Sequence, residues 1–431
     1  MEFHGDAICL SGIAGTFLKS QIIGQYYRFW WQITSGGPRG GYRIPTAIIE
    51  LNAATGEIYI EEKDSVILGS AGHALQLKEE LDNPNNLKIV LIETDSDCYY
   101  HLKNVIRTRF DTFPVEICEG PIDRNTTNVF LFNLDLDQAL REIEKMKLGL
   151  SIFFFDPLRM IKWSAIENVA RNRISTYYET GTEFIIFLFT SDYFIGRNDF
   201  TAFPTHQNEK DWSDEERASV EEADLLFGDQ SWRIPILNSD PLANREWHFI
   251  WAYKNKLHKW FRYVLPLPFN PKGEQIYHLI VCSNFEAGIR QTRDQYRSLM
   301  QIPKYQPDNK LAYRNFKGKH PGISSRYTGK SKPIEWKILW KIIKQEAGIR
   351  DMNCSDFSKD EPDPTNRKNA LLWLCDHGYL NEVDFETAWS NDIAKYCLNW
   401  RVVEERLEIH IPPQLIPISP QNITIMGSSE K

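Results

Sequence analysis

The 431-residue sequence lacks paired cysteines, long hydrophobic runs and a leader-like start. Its seven cysteines are scattered and never form a CxxC pair, which disfavours a disulfide framework or a zinc site and favours reduced thiols. The longest apolar stretches, 151–155 and 184–189, have the length of a strand and are too short to span a bilayer. No basic segment followed by an apolar core opens the chain. These absences predict a cytoplasmic protein with no membrane anchor and no metal site.

What the chain does contain is enough apolar material for a sizeable core. Hydrophobic residues make up 42% of the sequence and aromatic residues 13%, which excludes a wholly disordered protein. The formal net charge of −8 indicates solubility and says nothing about the fold. The sequence has no P-loop, GxSxG or HExxH motif, so none of the chemistries tied to those motifs is indicated.

Within residues 1–300, apolar runs of strand length alternate with helical patterns. Such alternation predicts a doubly wound parallel sheet, and nearly continuous apolar runs are typical of strands covered on both faces. A helix is predicted before the strands, over 15–33, and a helical insertion after them, over about 199–262. A closing hairpin, 263–269 with 275–282, is the edge arrangement of Rossmann-like class I methyltransferases. The predicted strands of the alternating part are 44–51, 87–93, 129–133, 151–155 and 184–190.

The segment from Thr46 to Gly56 carries the strongest functional signal. A run of β-formers ends in Glu50, small residues follow, and Gly56 closes the segment. In an open α/β sheet, ligands bind outside the carboxyl ends of the strands, where missing side chains let the backbone approach them. Ala54 stands where a second glycine would complete a glycine-rich fingerprint. We therefore predict a cofactor loop of the dinucleotide or S-adenosylmethionine type, in which Glu50 holds a charged amine and Ala54 and Gly56 line the ligand.

Further acidic residues follow the other predicted strands and are expected at the same edge of the sheet. Glu93 follows the second strand, where a carboxylate accepts the hydroxyls of a ribose. Asp135 follows the third strand, next to the expected place of an adenine. Asp156 and Pro157 follow the fourth strand, beside the expected point of methyl transfer, and are the candidate catalytic residues. The alternative is that these residues are ordinary solvated loop positions, because acidic residues are common after strands.

The composition changes sharply between residues 304 and 344, where eleven lysines and arginines stand against two acidic residues. Glycines and prolines in its first part predict an exposed basic linker over 301–332. Two helical patterns followed by Gly378 and Tyr379 predict a winged-helix-like domain over 333–412, and a flexible tail is expected over 413–431. The expected partner is a nucleic acid, DNA or RNA, bound through phosphates; the alternative is a solvated linker and a winged helix used for protein contacts. The candidate contacts are Lys317, Lys319, Arg326, Lys330, Arg367 and Lys368.

Several segments occur in an order that resembles a known family. They are Leu18-Lys19…Tyr26, Ile49–Gly56, Glu93, Phe154–Pro157, Leu226–Gly228 and the hairpin Tyr263–Pro266 with Tyr277–Ile280. This order resembles the three-Cys-motif partner (TcmP) family over roughly residues 15–300, and the C-terminal part looks like the GMT-type winged helix of some members. The resemblance implies a class I S-adenosylmethionine-dependent methyltransferase-like fold. It also implies a second, cysteine-motif protein as a partner, in a bacterial antiphage-defence or mobile-element system.

The resemblance assigns Glu50 to the acidic end of the first strand, Gly56 to the last glycine of the cofactor loop and Glu93 to the ribose carboxylate. Asp156-Pro157 matches the family's Asp-Pro-Trp element. The chain departs from the family pattern at Asn52, Ala54, Thr55, Leu158 and Thr190. Two hypotheses follow: a methyltransferase that binds S-adenosylmethionine, or a catalytically inactive Rossmann scaffold or nucleotide-sensing partner subunit of a defence complex.

Two further residues in these segments are expected to have structural roles. Lys19, on the first predicted helix, is interpreted as a charge on a solvated face. His278 lies inside a predicted strand and is interpreted as a hydrogen-bonded core histidine rather than as a catalytic base.

Overall fold

The computed structural model divides the chain into two compact units, Met1–Gln301 and Ile302–Lys431, which are described separately. The residues that the structure describes are 10–12, 14–34, 46–60, 64–81, 86–111, 115–117, 129–146, 148–157, 160–174, 181–190, 204, 208–233, 245–269, 277–299, 309–322, 332–344, 352–353, 357–359, 361–383, 395–398, 403 and 406–407.

The first unit is built on an eight-stranded sheet with the order β10-β11-β9-β8-β2-β5-β7-β6. Neighbouring strands are parallel from β6 to β9, and β11 and β10 run antiparallel at the far edge. The strand order reverses between β2 and β8, which makes that position the switch point of a doubly wound sheet. The strands are β2 (Thr46–Leu51), β5 (Leu87–Ile92), β6 (Val115–Ile117), β7 (Val129–Phe132), β8 (Leu150–Phe155), β9 (Thr182–Phe189), β10 (Tyr263–Phe269) and β11 (Tyr277–Ser283).

The strand order confirms the predicted α/β fold of the class I methyltransferase type. The central strands are mostly apolar, and every residue of β2 and β7 is buried, as expected for a sheet covered on both faces. The predicted closing hairpin is present as β10 and β11; its turn lies outside the described residues. The helices of this unit are α1 (Ala14–Thr34), α2 (Ser70–Glu79), α3 (Ser96–Arg109), α4 (Leu136–Glu144), α5 (Trp163–Ile174), α6 (Asp214–Phe227), α7 (Arg245–Leu257) and α8 (Glu286–Leu299).

The first unit also has a small three-stranded sheet. It is formed by β1 (Leu10–Gly12), β3 (Glu57–Ile60) and β4 (Ser65–Leu68). Strand β3 begins directly after the predicted cofactor loop. Helix α6 is preceded by Ser213, which forms a capping box with Glu216, and is followed by Gly228, which adopts a φ of 71°. Both ends of α6 are therefore marked by local sequence signals, a capping box at the start and a glycine at the end.

The second unit has a helix–strand–helix–strand–strand arrangement after its first helix. Its three-stranded antiparallel sheet has the order β12-β14-β13, so the first strand pairs with the last. This connectivity is the one expected for the winged helix, and the assignment to that family stays a prediction. The elements are α9 (Asn309–Lys319), α10 (Ile334–Lys344), β12 (Met352–Asn353), α11 (Pro364–Asp376), β13 (Leu380–Val383) and β14 (Lys395–Leu398).

The basic linker predicted over 301–332 is wrong for residues 309–319. These residues form helix α9, and its Ala312 and Phe316 are fully buried in the core of the second unit. The ring of Phe316 packs against Trp336 at 5.1 Å and against Tyr379 at 5.7 Å. Phe316 therefore anchors α9 to the core of the second unit.

Candidate active site

The carboxyl ends of the central strands meet at one level of the sheet. Leu51 at the end of β2 pairs with Ile92 of β5 on one side and with Phe155 of β8 on the other, and Ile92 pairs with Phe132 of β7. The residues that follow these strands therefore emerge along one edge, as predicted. They include Asn52, Glu93, Asn133 and Asp156.

The loop after β2 bends sharply and is hydrogen-bonded to the end of β5, the neighbouring strand in the sheet. The backbone N–H groups of Ala53 and Ala54 donate to Ile92 O at 2.8 Å and to Glu93 Oε2 at 2.7 Å, respectively. Asn52, Ala54 and Gly56 have φ angles of 71°, 52° and 74°. A Cβ on Gly56 would lie 2.7 Å from a methyl carbon of Leu102, so this position favours glycine for both conformation and space. Ala54 adopts a conformation that disfavours alanine.

Glu93 is the residue that holds the loop after β2, the candidate cofactor loop. Only 4% of it is exposed, and its two oxygens accept the N–H groups of Ala54 and Asp95 at 2.7 and 2.8 Å. Burial raises the pKa of Glu93, and the backbone hydrogen bonds act against that rise. Its main chain is fixed as well, because Asn133 Nδ2 donates to Glu93 O at 2.8 Å. The carboxylate is therefore immobilised at the end of the second strand, where it was predicted.

Asp135 lies after β7 and is exposed. Its carboxylate accepts the N–H of Gln138 at 2.8 Å and caps α4. This role alone accounts for an aspartate at the position. Its assignment to an adenine stays a prediction.

Glu50 lies in a different environment from the one that we predicted. It is fully buried, and Tyr27 Oη donates to its Oε1 at 2.5 Å while Ser70 Oγ donates to its Oε2 at 2.8 Å. Burial raises the pKa of Glu50 to about 8, and the two hydrogen bonds oppose the rise. The prediction that Glu50 presents an open carboxylate to a charged amine is therefore wrong for this arrangement, because helices α1 and α2 supply its partners.

Asp156 forms an ion pair that the sequence did not reveal. Lys19 Nζ of α1 lies 2.8 Å from Asp156 Oδ2, with the two side chains 13% and 20% exposed. The same ammonium group lies 4.1 Å from the centre of the Phe187 ring, so it also makes a cation–π contact. The interpretation of Lys19 as a solvated charge is wrong. Pro157 follows Asp156 and is buried.

The loops after β2 and β8 are joined at Asp156. Asn52 Nδ2 donates to Asp156 O at 3.2 Å, and the N–H of Asp156 donates to Leu51 O at 3.3 Å. Asn52 reaches this carbonyl from a left-handed backbone conformation, which asparagine tolerates better than most residues. The sequence pattern gave no signal for this connection. It couples the candidate cofactor loop to the candidate catalytic residue.

The predicted core histidine is confirmed. His278 is fully buried and its Nδ1 lies 3.3 Å from Thr190 Oγ1, and burial lowers the pKa of the ring to about 3. A neutral, enclosed imidazole of this kind has a structural role.

The predicted nucleic-acid contacts fall into three groups. Lys317, Lys319 and Lys368 are exposed, and Arg326 and Lys330 lie outside the described residues. Arg367 is only 9% exposed, and its Nη1 donates to the carbonyls of Glu361 and Pro362 at 2.6 and 2.8 Å. The prediction that Arg367 contacts a nucleic acid is therefore wrong, since its guanidinium group closes the turn that precedes α11.

Within the described ranges, no group of three or more His, Cys, Asp or Glu side chains could hold a metal ion. Nor does any helix in the described part of the chain combine the length and apolar character that a bilayer crossing requires.

The sequence matches no protein-family model and has no significant match among curated proteins. Solved structures with a similar course of chain include a Legionella pneumophila protein of the DUF519 family, at 11% identity over 67% of this chain and 93% of that one, with a TM-score of 0.37. A putative O-methyltransferase from Klebsiella pneumoniae is 11% identical over 64% and 91%, with a TM-score of 0.31. The plantazolicin methyltransferase BamL, solved with SAH, is 10% identical over 62% and 86%, with a TM-score of 0.26. These similarities are distant, and the fold assignment rests on the strand order.

Proposed function

We propose that the first unit binds S-adenosylmethionine at the carboxyl edge of its sheet and that the protein is a methyltransferase of the TcmP type that acts on or with nucleic acid. The observation that carries the proposal is the attachment of the loop after β2 to the buried Glu93. An ionised carboxylate offers about four acceptor positions, and the backbone of Ala54, Asp95 and Thr94 supplies three donors. About one acceptor position of the Glu93 carboxylate is therefore left for a ribose hydroxyl.

The left-handed residues of the loop support the same ligand. Backbone turns at Asn52, Ala54 and Gly56 leave the loop without large side chains on its tightest bends, which suits close approach of an adenosyl group. When bound, S-adenosylmethionine supplies an activated methyl group. Asp156 and Pro157, joined to this loop through Asn52, would position the acceptor, and methyl transfer depends mostly on such positioning.

Calorimetry with S-adenosylmethionine and S-adenosylhomocysteine tests the proposal. We expect micromolar binding of at least one of them, weakened about tenfold or more in Glu93→Gln, because an amide cannot accept from all of the backbone donors around it. Glu221→Gln is the matched control, because it makes the same chemical change at an exposed residue of α6. Absence of heat at millimolar ligand, with a folded protein, contradicts the proposal.

A non-catalytic Rossmann scaffold or nucleotide-sensing subunit is the second candidate. Two observations favour it: Glu50 is closed off by Tyr27 and Ser70, and Ala54 occupies a backbone conformation better suited to glycine. The same calorimetry separates the candidates when adenosine nucleotides are included. Binding of a nucleotide without binding of either methionine derivative selects the sensor, and binding of neither selects the scaffold.

The biological setting of the proposal rests on the sequence resemblance. A TcmP-type protein is expected to work with a three-Cys-motif or other defence-system protein in bacteria. Phage plating on a host that carries the gene with its neighbouring genes tests this setting. A loss of protection in Glu93→Gln, and none in Glu221→Gln, is the expected outcome; equal plating with and without the wild-type gene contradicts it.

A further inference from the structure

We propose that the phosphate-binding surface of the second unit is one face of helix α9, formed by Lys310, Arg314 and Lys317, and not the exposed face of α11. The proposal rests on the nucleic-acid part of the proposed function and assigns it to particular residues. The three side chains, named here the cationic stripe, are exposed and stand at positions i, i+4 and i+7 of one helix. Residues so spaced project from the same side of a helix.

The opposite side of α9 is fixed to the core, which makes the cationic stripe a rigid surface. Ala312 and Phe316 are fully buried, and Asn315 Nδ2 donates to Leu407 O at 3.1 Å. At the end of the helix, His320 Nε2 lies 2.9 Å from Tyr379 Oη. A helix held in this way fixes the backbone positions of the three residues, so binding needs no ordering of the backbone.

The spacing suits a phosphate backbone. With a rise of about 1.5 Å per residue, steps of four and three residues separate the cations by roughly 6 and 4.5 Å along the helix, whereas phosphates of one duplex strand recur about every 3.4 Å along the duplex axis. Flexible lysine and arginine side chains can cover this difference. The described residues 309–322 contain four lysines and arginines and no acidic residue. No acidic side chain within this segment weakens the attraction of a polyanion.

Two alternatives are disfavoured: α9 as a membrane-binding helix, and α11 as the phosphate-binding surface. A helix that lies on a membrane needs a free apolar face, and the apolar face of α9 is already buried in the unit. The exposed face of α11 is poorly suited to phosphates, because it carries one cation, Lys368, beside Thr365, Asn369, Leu372 and the acidic Asp376. Asp363, the N-cap residue, adds a further negative charge at the start of the helix.

The test uses the full-length chain and fluorescence anisotropy with labelled 20-nucleotide single strands and 20-base-pair duplexes of DNA and of RNA. The variant Arg314→Gln/Lys317→Gln removes two charges from the cationic stripe. The matched control Lys319→Gln/Lys368→Gln removes two charges from exposed residues outside it: Lys319 stands on the other side of the same helix, and Lys368 on α11. Glutamine keeps helix propensity, and circular dichroism checks that both variants fold.

For the best-bound of these nucleic acids, we expect the stripe variant to bind roughly 10- to 100-fold more weakly at 0.1 M salt, with a slope of log K against log salt lower by about 2 in magnitude. The control should stay within about threefold of the wild type. A larger loss in the control overturns the assignment to α9 and leaves nucleic-acid binding in place. Absence of binding by the wild type overturns both the assignment to α9 and nucleic-acid binding by this protein. Equally tight binding of poly-L-glutamate overturns the proposal in favour of an acidic protein partner.

Discussion

The carboxyl edge of the large sheet and the cationic stripe of α9 differ in how far their ionisable side chains are exposed to solvent. At the edge, Glu50 and Glu93 are buried, and Asp156 is largely enclosed beside Lys19. On α9, the charged groups point to solvent from a helix whose other side is in the core. Buried titratable groups make the stability of the fold depend on pH, whereas exposed charges make binding depend on salt. The two regions can therefore be separated by experiment.

The largest expected effect is a fall in stability of the first unit between about pH 6.5 and pH 8. Burial raises the pKa of Glu50 to about 8 and that of Glu183 to about 7. Both groups hold a proton more tightly when folded, so the free energy of unfolding falls as pH rises from the ordinary carboxyl range through these values. We expect a loss on the order of 2 kcal/mol across this window, mostly from Glu50, measured by urea unfolding.

Histidines act in the opposite direction at the lower end of this window. Burial lowers the pKa of His73 and of His278 to about 4 and 3, so near pH 6.5 the unfolded chain binds protons that the folded chain does not. Each residue therefore raises the free energy of unfolding by about 0.4 kcal/mol between pH 6.5 and pH 8, which reduces the fall without cancelling it. The variant Glu50→Gln should remove most of the slope between pH 6.5 and 8, whatever its stability at one pH, and Glu221→Gln should retain it. A wild-type profile that is flat or rising in this window contradicts the buried, proton-binding state of Glu50.

The ion pair at the edge should contribute more than an exposed pair. Lys19→Met leaves the enclosed Asp156 carboxylate without its cation, and we expect the free energy of unfolding to fall by about 1–2 kcal/mol. Arg171→Met is the control, because Arg171 pairs with Glu167 on the surface of α5 at 2.8 Å and is 66% exposed; its loss should cost less than about 0.5 kcal/mol. Equal effects in the two variants contradict an enclosed Lys19–Asp156 pair.

The sequence was sufficient for the fold and for the position of the edge. Apolar runs of strand length located β2, β5, β7, β8 and β9, and a residue that follows a parallel strand must emerge at its carboxyl end. That reasoning placed Glu93 and Asp156 correctly. It needed no knowledge of which helix covers the sheet.

The sequence was insufficient for contacts between elements far apart in the chain. Tyr27 and Lys19 lie on one helix with an ordinary amphipathic pattern, and nothing in that pattern shows that they reach Glu50 and Asp156. The linker prediction at Phe316 and the nucleic-acid prediction at Arg367 were wrong for a related reason, because aromatic and cationic residues in polar segments also serve as core and turn contacts. Burial is set by the tertiary packing of the unit, and composition does not encode it.

A smaller effect is expected in the candidate cofactor loop. Ala54 has a φ of 52°, which costs alanine energy that glycine does not need to spend. We expect Ala54→Gly to raise the free energy of unfolding by about 0.5–1 kcal/mol, since relief of this strain exceeds the entropy that glycine adds to the unfolded chain. Gly56→Ala should act in the opposite direction, because its Cβ would meet Leu102. A loss of stability in Ala54→Gly contradicts the left-handed loop.

The smallest expected effect is on the stability of the second unit when the cationic stripe is neutralised. Arg314→Gln/Lys317→Gln removes exposed charges, so its unfolding should change by less than about 0.5 kcal/mol. Phe316→Ala, on the buried side of the same helix, should cost about 3–5 kcal/mol, which shows that the measurement reports on α9. The stripe variant thus separates binding from folding: a large loss of stability would mean that Arg314 and Lys317 support the core, and weakened nucleic-acid binding could no longer be assigned to phosphate contacts.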